Sequence, residues 1–527
     1  MIAHSRVPID CWDNVLVVTR SLNHNTTSHM GKQRSKKTQP TRFLGNYTLP
    51  NGKSVFGELR LRGSRTLLKL HSDEFLLGVE TDACITGTAY TGEHLTLIGC
   101  YSPGTGQTGF KDKPTRYHAE VFPHYVALGR CHIKPGEPCV KAIHFTTTDL
   151  TTLFYDFDAF SLLIDARPII DVVLQERRKL RPVEAGESPL VAYFTGKDRI
   201  AEVPTAIGKV TVNHRPSFGL GGPSGVSMKN RIVVSIEPDQ SVTLSDAVQR
   251  MYDVACFLSM AGGRAQGIDH IHVTTTEIID SVPELLIIYP SYRWKVSDKG
   301  KQHKPHPGDV PLDPIHYRAE FNAVLADWIG RQSGWRVARR QYLECLRKAN
   351  KYGPERLVAA ANMFDILPKG AIPLAVALPA DLAFTRDACA EMFRKHLPGI
   401  DRNNALSALG RLGAPSLPKK VEHRTSLVES KVGDRFPDLQ FVASIAVKCR
   451  NFFVHGSSSD IDFPRVEPLV AFLTNALEFI FAASDFIDAG WDAERWISGG
   501  YGWGHSFTRF RSEYDLALAE LRRVTTT

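Results

Sequence analysis

Paired cysteines are missing from the chain. Its 527 residues include nine cysteines, and no two of them form a CxxC pair. An odd and scattered set in so long a chain is typical of reduced thiols in a cytosolic protein. Cys131, His132 and Cys139 come closest to a metal-binding group, but no second ligand pair accompanies them. We interpret them as buried thiols, and the sequence predicts no metal site and no cofactor.

A membrane-spanning run and a signal peptide are also missing. Val15–Val18 is too short for the apolar part of a signal peptide, and no small-residue cleavage site follows it. Leu469–Ile487 comes closest to a membrane span, but Asn475, Glu478 and Asp485 interrupt it. A buried bundle helix explains this pattern better. We therefore expect a cytoplasmic protein without a membrane partner.

A strong charge of either sign is absent as well. The net charge is +8, with 43% hydrophobic and 23% charged residues, which is ordinary for a globular protein. This balance favours anionic partners only mildly. Ser21–Arg42 is polar and basic, and we predict a disordered basic tail over 1–41. Met30 inside this tail is an alternative start site.

The first half of the chain is rich in predicted strands. Apolar and polar residues alternate in Ser54–Leu61 and Thr66–His71 on either side of a Gly-containing turn, which predicts a β-hairpin. Further strand-like stretches are His94–Tyr101, Tyr117–Gly129, Ala142–Phe154, Lys209–Asn213, Asn230–Glu237, Ile271–Thr275 and Glu277–Tyr289. These patterns predict a β-sandwich or barrel-like domain over 42–292.

Two glycine-containing features interrupt the strands. Phe218–Ser227 is glycine-rich, but its spacing is not that of a P-loop and a strand follows it. A hairpin loop is therefore favoured over a phosphate site there. Ser245 is expected to cap an accessory helix over Asp246–Met260, which the pair Gly262-Gly263 ends.

A stretch without periodicity follows these strands. Arg293–His316 is rich in Pro, Gly and Lys, and we predict a linker over 293–316. Its His and Asp residues could bind a metal, but a solvated linker is favoured; they are His303, His306, His316, Asp309 and Asp313.

The periodicity becomes helical after the linker. Candidate helices are Tyr317–Ile329, Trp335–Asn350, Pro354–Leu367, Ala380–His396, Arg402–Leu412, Asp438–His455 and Val466–Ala489. Prolines such as Pro415 and Pro418 are predicted to lie in the connections between the helices. We predict an all-α bundle over 317–527, and hence an α+β protein of two domains.

The most informative stretch is Asp438–Gly456. Apolar residues at helical spacing lead into Arg450, Asn451 and His455, and the glycine that follows is the residue type most common just past a helix end. Arg450 and His455 are about 140° apart on an ideal helix at ~100° per residue, so the long arginine side chain must close the gap. An imidazole can move a proton near neutral pH, and a guanidinium can hold phosphate charge. This pair suits phosphodiester chemistry.

The bare spacing of Arg and His is not specific. It also occurs at Arg65–His71 and Arg264–His270. The first of these lies in a strand-like run and the second in a turn after a helix. Only Arg450–His455 combines a predicted helix, an Asn directly after the Arg and a Gly after the His.

With these features the chain resembles the HEPN superfamily, whose ribonuclease motif is R-x4–6-H, often R-N-x-x-x-H. The N-terminal half resembles that of ApeA-type anti-phage HEPN proteins, and the order of its elements together with the C-terminal motif carries the resemblance. The matching elements are an opening F-x-G-x-Y (Phe43, Gly45, Tyr47), Gly57, the strand at Leu97–Gly99, the strand pair at Tyr117–Gly129 and the helix with its glycines at Asp246–Gly263.

The resemblance implies a metal-independent endoribonuclease of bacterial anti-phage defence, of the abortive-infection type. The RNA 2′-hydroxyl would attack the adjacent phosphate. His455 would act as general acid or base, Arg450 would stabilise the phosphate, and Asn451 would orient either of them. The resemblance also implies a phage-derived trigger and a homodimer through the bundle, with Phe452, Phe453 and Val454 at the contact.

A basic predicted helix could add affinity for RNA. Arg331–Arg356 contains the candidate RNA-contacting residues Arg336, Arg339, Arg340, Arg347 and Lys348. A solvated basic helix face is the default interpretation. If the segment lies beside Arg450 and His455, it would instead bind the RNA backbone without reading its sequence.

A second function of a different class stays open. The bundle could be a non-catalytic HEPN module that binds RNA or a nucleotide, with the N-terminal domain as a sensor. The presence of both Arg450 and His455 favours catalysis over this alternative.

Overall fold

The computed structural model of the protein describes residues 41–76, 80, 82–109, 114–220, 223, 225–292, 303–375, 377–456, 462–499 and 502–525. Residues 1–40 of the predicted tail and 293–302 of the predicted linker lie outside the described residues. The described chain forms two compact units. The sheet unit contains residues up to Ile143, Gln240–Ala247 and His270–Arg293, and the bundle unit contains His144–Asp239, Val248–Asp269 and Trp294–Thr527.

The strands confirm the β-rich character predicted for the N-terminal half. They are β1 (Thr41–Thr48), β2 (Ser54–Leu61), β3 (Leu67–Ser72), β4 (Ala83–Ala89), β5 (His94–Cys100), β6 (Thr105–Thr108), β7 (Arg116–Val121), β8 (Tyr125–Gly129), β9 (Val140–Thr147), β10 (Phe160–Leu163), β11 (Val191–Phe194), β12 (Arg199–Thr205), β13 (Gly208–His214), β14 (Ser217–Leu220), β15 (Val226–Lys229), β16 (Ile232–Glu237), β17 (Ile268–Ile279) and β18 (Val282–Pro290).

The sheet unit is an antiparallel β-sheet. Its strands pair in the order β17, β18, β8, β5, β4, β1, β2, β3, β7 and β6, and every pair is antiparallel. The predicted hairpin is confirmed, because β2 and β3 pair with Phe56 opposite His71. In the bundle unit, β12, β13 and β16 pair antiparallel, as do β10 with β11 and β14 with β15. The predicted loop at Phe218–Ser227 therefore carries a short two-stranded ribbon.

The F-x-G-x-Y pattern has a packing reason in the sheet. Tyr47 is fully buried, and its hydroxyl donates to the carbonyl oxygen of Phe43 over 3.1 Å. A Cβ on Gly87, which pairs with Tyr47 across β1 and β4, would lie 2.5 Å from the tyrosine ring, and a Cβ on Gly57 would lie 3.0 Å from it. The Gly87 distance is far below ordinary contact, so at that position a side chain would collide with the ring, while at Gly57 the ring would have to shift.

The helices are α1 (Leu150–Leu153), α2 (Arg167–Arg178), α3 (Leu244–Ala261), α4 (Arg318–Gly330), α5 (Gln332–Arg347), α6 (Pro354–Asp365), α7 (Ala380–Arg394), α8 (Ile400–Gly410), α9 (Leu417–Val432), α10 (Leu439–His455), α11 (Phe463–Val466), α12 (Val470–Asp488), α13 (Ala493–Ser498) and α14 (Ser506–Thr525). From α4 onward the described chain is helical, which confirms the predicted all-α C-terminal part.

Helix α12 lies at the centre of the bundle unit. Nearly all of its side chains are buried, including the polar ones of Glu478, Ser484 and Asp485. The stretch Phe463–Asp488 is long and apolar enough to cross a membrane, but 83% of its most apolar window is buried inside the protein. The prediction of a buried bundle helix at this position is confirmed.

Several local predictions need correction. The sequence analysis predicts neither α9 nor α14. It assigns Pro418 to a connection, but Pro418 lies in the first turn of α9, where proline is compatible with a helix. Ser245 does not cap α3: the Thr243 hydroxyl accepts the backbone N–H of Asp246 at 3.2 Å and lies 2.8 Å from its carboxylate.

The described end of the predicted linker, from His303, is packed rather than solvated. Asp309 is buried and accepts the backbone N–H groups of Gly502 and Gly504 at 2.5 and 2.9 Å. The indole N–H of Trp491 donates to the carbonyl oxygen of Pro311 over 2.8 Å. These contacts fix the segment to the chain on both sides of α13.

Helix α3 contributes to the core of the bundle unit. Its first residues, up to Ala247, belong to the sheet unit, and Val248–Ala261 belongs to the bundle unit. The Phe257 ring packs against Trp328 and Phe486 at centroid distances of 5.4 and 6.1 Å. The compact units therefore divide the chain differently from a single boundary at 293–316.

A buried carboxylate joins α12 to α5. Asp485 accepts hydrogen bonds from Arg339 at 2.8 and 2.9 Å and from Arg331 at 2.7 Å. Burial alone would raise the pKa of Asp485, but the charges and hydrogen bonds of the two arginines outweigh burial and hold the pKa below its usual value. The Arg339 guanidinium also lies 3.6 Å from the centroid of the Trp328 ring.

We expect Asp485→Asn to destabilise the bundle strongly. The change leaves the buried Arg339 charge without its carboxylate, and breaking such a pair typically costs about 3–5 kcal/mol. Asp327→Asn is the matched control, because Asp327 also pairs with Arg331 but is 46% exposed, where a pair is worth at most about 1 kcal/mol. Urea unfolding followed by circular dichroism measures both variants. Equal losses of stability would contradict the assignment.

The lowered pKa of Asp485 also fixes a pH dependence. Its contribution to stability is present above the ordinary pKa of an unfolded aspartate, about 3.9. The contribution is lost as the pH falls through the lower folded value. Wild type and Asp485→Asn should therefore approach each other in stability only in strong acid.

Candidate active site on the helix that carries the Arg–His motif

Helix α10 ends where the sequence predicts. His455 is its last residue, and Gly456 follows with a φ of +62°, the left-handed conformation that favours glycine. The Gly456 N–H donates to the carbonyl oxygen of Phe452 over 2.9 Å. The N-terminal part of α10 is buried, whereas His455 is exposed. The helix thus presents an imidazole to solvent from a fixed position.

Arg450 and His455 come together at this helix end. The Nη1 atom of Arg450 lies 3.4 Å from Nε2 of His455. The Arg450 side chain is only 14% exposed, so its guanidinium is largely enclosed while its edge reaches the exposed imidazole. The side chain therefore bridges the angle between the two positions on the helix.

Neighbouring amide oxygens hold the Arg450 guanidinium. The Oδ1 atom of Asn362 on α6 accepts from Nη2 and Nε of Arg450 at 2.9 and 3.3 Å. The Oδ1 atom of Asn451 accepts from Nη1 at 3.0 Å. Asn451 was predicted to orient His455 or a phosphate, and the structure places its side-chain oxygen on Arg450.

A carboxylate and a lysine complete the surroundings of Arg450. Oδ2 of Asp365 lies 3.7 Å from Nη2 of Arg450, and Oδ1 accepts from Nζ of Lys420 on α9 at 3.2 Å. Sequence analysis missed Asn362, Asp365 and Lys420. Asn362 and Asp365 are three residues apart on one predicted helix, so the sequence indicates that they share a face. Nothing in the sequence links that face to α10.

The apolar residues after Arg450 are partly used within the chain. Phe452 and Phe453 pack against Phe463 at centroid distances of 5.0 and 4.6 Å. Val454 is 45% exposed and stands directly before His455. Residues 457–461, which follow the helix, lie outside the described residues.

Arg264, the arginine of the Arg264–His270 spacing after α3, has a structural role. The Arg264 guanidinium is buried and donates to both carboxylate oxygens of Asp149 at 2.6 and 3.0 Å. A guanidinium that is neutralised in this way has no free charge for a substrate.

The predicted RNA-contacting residues of α5 and its C-terminal end have different roles. Arg339 is fully buried on Asp485, so it cannot reach RNA and we remove it from the predicted surface. Arg336 lies 3.1 Å from Asp253, and Arg347 pairs with Glu344. Arg340 and Lys348 are exposed. Along α5 and just after it, buried and exposed cations alternate. The segment is therefore basic in sequence, but its cations do not form one exposed basic face.

The candidate metal-binding residues do not form a cluster. Within the described ranges, no group of three or more His, Cys, Asp and Glu side chains is arranged to hold a metal ion. Cys131 and Cys139 are half-buried, and burial raises the pKa of each thiol. His316 bonds Asp313 at 2.7 Å.

Two family models match the chain. ApeA N-terminal domain 1 matches residues 42–328, which is more than half of the chain, and Apea-like HEPN matches residues 359–495. No curated protein and no solved structure gives a match. The second match includes Arg450, Asn451 and His455 as well as Asn362. The order of both matches agrees with the resemblance seen in the sequence, and the chain belongs to the ApeA family, with an ApeA N-terminal domain followed by an Apea-like HEPN domain.

Proposed function

We propose that the protein is an anti-phage defence protein that acts as a HEPN endoribonuclease and cleaves RNA without a metal ion. The observation that carries the proposal is the 3.4 Å approach of the Arg450 guanidinium to the exposed His455 imidazole at a capped helix end. These two groups supply the proton transfer and the charge stabilisation that phosphodiester cleavage needs.

His455 moves the proton in the proposed reaction. It takes the proton of the RNA 2′-hydroxyl while water protonates the departing 5′-oxygen, or it protonates that oxygen while water takes the 2′-hydroxyl proton. The 2′-oxygen forms a bond to phosphorus, and the bond from phosphorus to the 5′-oxygen breaks. The products are a 2′,3′-cyclic phosphate and a 5′-hydroxyl. Because His455 is exposed, a strand can reach it from solvent.

Arg450 stabilises the negative charge that builds on the phosphate oxygens. Its partners are two neutral amide oxygens and a carboxylate at 3.7 Å, so its charge is only partly neutralised. Amides fix the direction of the guanidinium without cancelling its charge, which supports a preorganised phosphate-binding group.

The proposed lack of a metal requirement follows from the donors around the motif. Among the described residues, Asp365 is the carboxylate within reach of Arg450, and it already contacts Lys420. A carboxylate shared by two cations is a poor ligand for a third. Arg450 can take the electrostatic part that a metal plays in other nucleases.

Exposed cations support RNA binding. Arg340 in the C-terminal half of α5 and Lys348 just after the helix are both exposed. Each contact with an RNA phosphate would add affinity, and this contribution would decrease as the salt concentration rises. We propose that they contact the RNA backbone.

We also propose that the N-terminal domain senses a phage-derived trigger. The sheet unit is rich in strands, and the Arg450–His455 pair lies in the bundle unit. This division supports a recognition role for the sheet unit.

The alternative is an RNA-binding module without catalysis. In that case the Arg450–His455 pair would bind phosphate and leave the strand intact. Purified wild type incubated with RNA in EDTA separates the two, since only the nuclease shortens the RNA.

Removal of His455 should abolish most of the cleavage. His455→Ala takes away the proton-transfer group at a helix end, where alanine is tolerated, and the rate should fall by at least ~10²-fold. Arg450→Lys should fall similarly, because an ammonium cannot reproduce the planar donor pattern of a guanidinium. Cleavage of a labelled RNA measures both.

The matched control is His396→Ala, which removes an exposed imidazole just after the end of α7. This variant should cleave like the wild type. Normal cleavage by His455→Ala would refute the assignment of the site.

Asn362 should act as a positioning residue. Asn362→Ala removes the oxygen that accepts two N–H groups of Arg450, and displacement of the guanidinium should lower kcat between about 10- and 100-fold with little change in KM. Asn403→Ala, an exposed asparagine on α8, is the control. A change confined to the melting temperature, with kcat intact, would show a purely structural role.

We propose that the active form is a homodimer through the bundle. One Arg–His pair per chain supplies few catalytic groups, so a second chain could complete the site. The exposed Val454 beside His455 can contact that second copy. Val454→Asp should weaken both self-association and cleavage, whereas Leu516→Asp, at a site 81% exposed on α14, should not. Sedimentation velocity and RNA cleavage are measured together. A wild type that is monomeric at micromolar concentration and still cleaves RNA would overturn the proposal.

A further inference from the structure

A second polar cleft lies in the bundle unit, away from Arg450 and His455. Its walls come from Gly263 and Arg264 after α3, the segment after α5, the start of α6, and the helices α12 and α14. It is partly open to solvent. None of the residues that hold Arg450 lines it. It is therefore a separate feature of the same unit.

The charges around this cleft do not balance. Arg264 is neutralised by Asp149 at 2.6 Å, and Arg356 is neutralised by Glu478 at 2.7 and 2.8 Å. Arg509 on α14 donates to the carbonyl oxygen of Gly504 at 2.8 Å. Among the described residues, no carboxylate oxygen comes within ion-pair distance of it.

Burial makes this imbalance costly. Burial lowers the pKa of the Arg509 guanidinium. Tyr352 and the carboxylates of Glu513 and Asp309 act in the opposite direction and Arg356 in the same one, and burial prevails. A partly buried cation without a carboxylate in contact is destabilising unless an anion joins it. The cleft beside Arg509 provides the space for that anion.

A free hydrogen-bond donor lies one helical turn before Arg509. The Oγ atom of Ser506 is buried, and within the described chain it has no hydrogen-bond partner. Ser506 is the first residue of α14, so it and Arg509 share a face at the positive end of a 20-residue helix. Serine hydroxyl and guanidinium are both donors suited to phosphate oxygens.

Gly263 after α3 allows the start of α14 to pack closely. It has a φ of +64°, and a Cβ there would lie 2.6 Å from Nε2 of His505 and 2.7 Å from Oγ of Ser506. A side chain at 263 would therefore displace the histidine and the serine. This gives Gly263 a role beyond ending the helix.

We propose that the cleft binds an anionic ligand through a phosphate group, with Arg509 as its charge partner and Ser506 as a hydrogen-bond donor. A phosphate accepts several hydrogen bonds from a guanidinium and a hydroxyl at once. The ligand would join α14 to the segments after α3 and α5. It would therefore stabilise the folded bundle in proportion to its concentration.

The test is the melting temperature of the full chain with and without phosphate. At millimolar concentration, inorganic phosphate should raise Tm by about 2–4 °C, whereas sodium chloride at equal ionic strength should not. A second arm with glycerol phosphate and a nucleoside monophosphate shows whether the ligand is free phosphate or a monoester, according to which binds most tightly.

Arg509→Gln separates a binding role from a structural one. Without phosphate, its Tm should equal or exceed that of the wild type, because the removed charge had no carboxylate partner. Its affinity for phosphate should be at least about tenfold weaker, the loss expected of one charged hydrogen bond. Ser506→Ala should weaken binding about two- to tenfold.

Arg523→Gln on the same helix is the control, because Arg523 is exposed and pairs with Glu520. It should respond to phosphate like the wild type. An unchanged phosphate response in Arg509→Gln would overturn the proposal. A marked loss of its Tm without phosphate would do so as well, since Arg509 would then be a structural residue.

Discussion

The bundle depends on the pairing of buried carboxylates on α12 with arginines from the surrounding helices. Glu478 and Asp485 lie on a helix with almost no exposed surface, and each would be costly without a cation. Asp485 fixes α5 through Arg339, and Glu478 fixes the start of α6 through Arg356. With its first turn fixed, α6 extends to Asn362 and Asp365. These are the residues that meet Arg450 on α10.

Arginine serves different ends in this unit according to its partner. Arg339 and Arg356 pair with buried carboxylates, which neutralise their charge, and the pairs stabilise the core. Arg450 faces two amide oxygens, which orient the guanidinium, and a carboxylate at 3.7 Å that neutralises its charge only in part. Arg509 faces a backbone carbonyl and an open cleft. The functional proposals rest on these two arginines, whose charge is not fully neutralised.

The sequence predicted the helix of the motif, its end at Gly456, and the strand-rich N-terminal half with its β2–β3 hairpin, because local periodicity and glycine preferences encode these features. It placed Arg450 and His455 together because a long side chain can span their separation on one helix. It could not find Asn362 or Asp365, since their proximity to Arg450 arises from packing between helices that are distant in the chain. It misplaced Arg339 for the same reason: its carboxylate partner lies 146 residues away.

The central claim is that Arg450 and His455 cleave RNA by transferring protons and stabilising phosphate charge. The most direct measurement is the chemical identity of the ends produced when the purified full chain cuts a defined RNA in the presence of EDTA. The account predicts 2′,3′-cyclic phosphates and 5′-hydroxyls by mass spectrometry. Products with 3′-hydroxyl and 5′-phosphate ends, or loss of cleavage in EDTA, would contradict it.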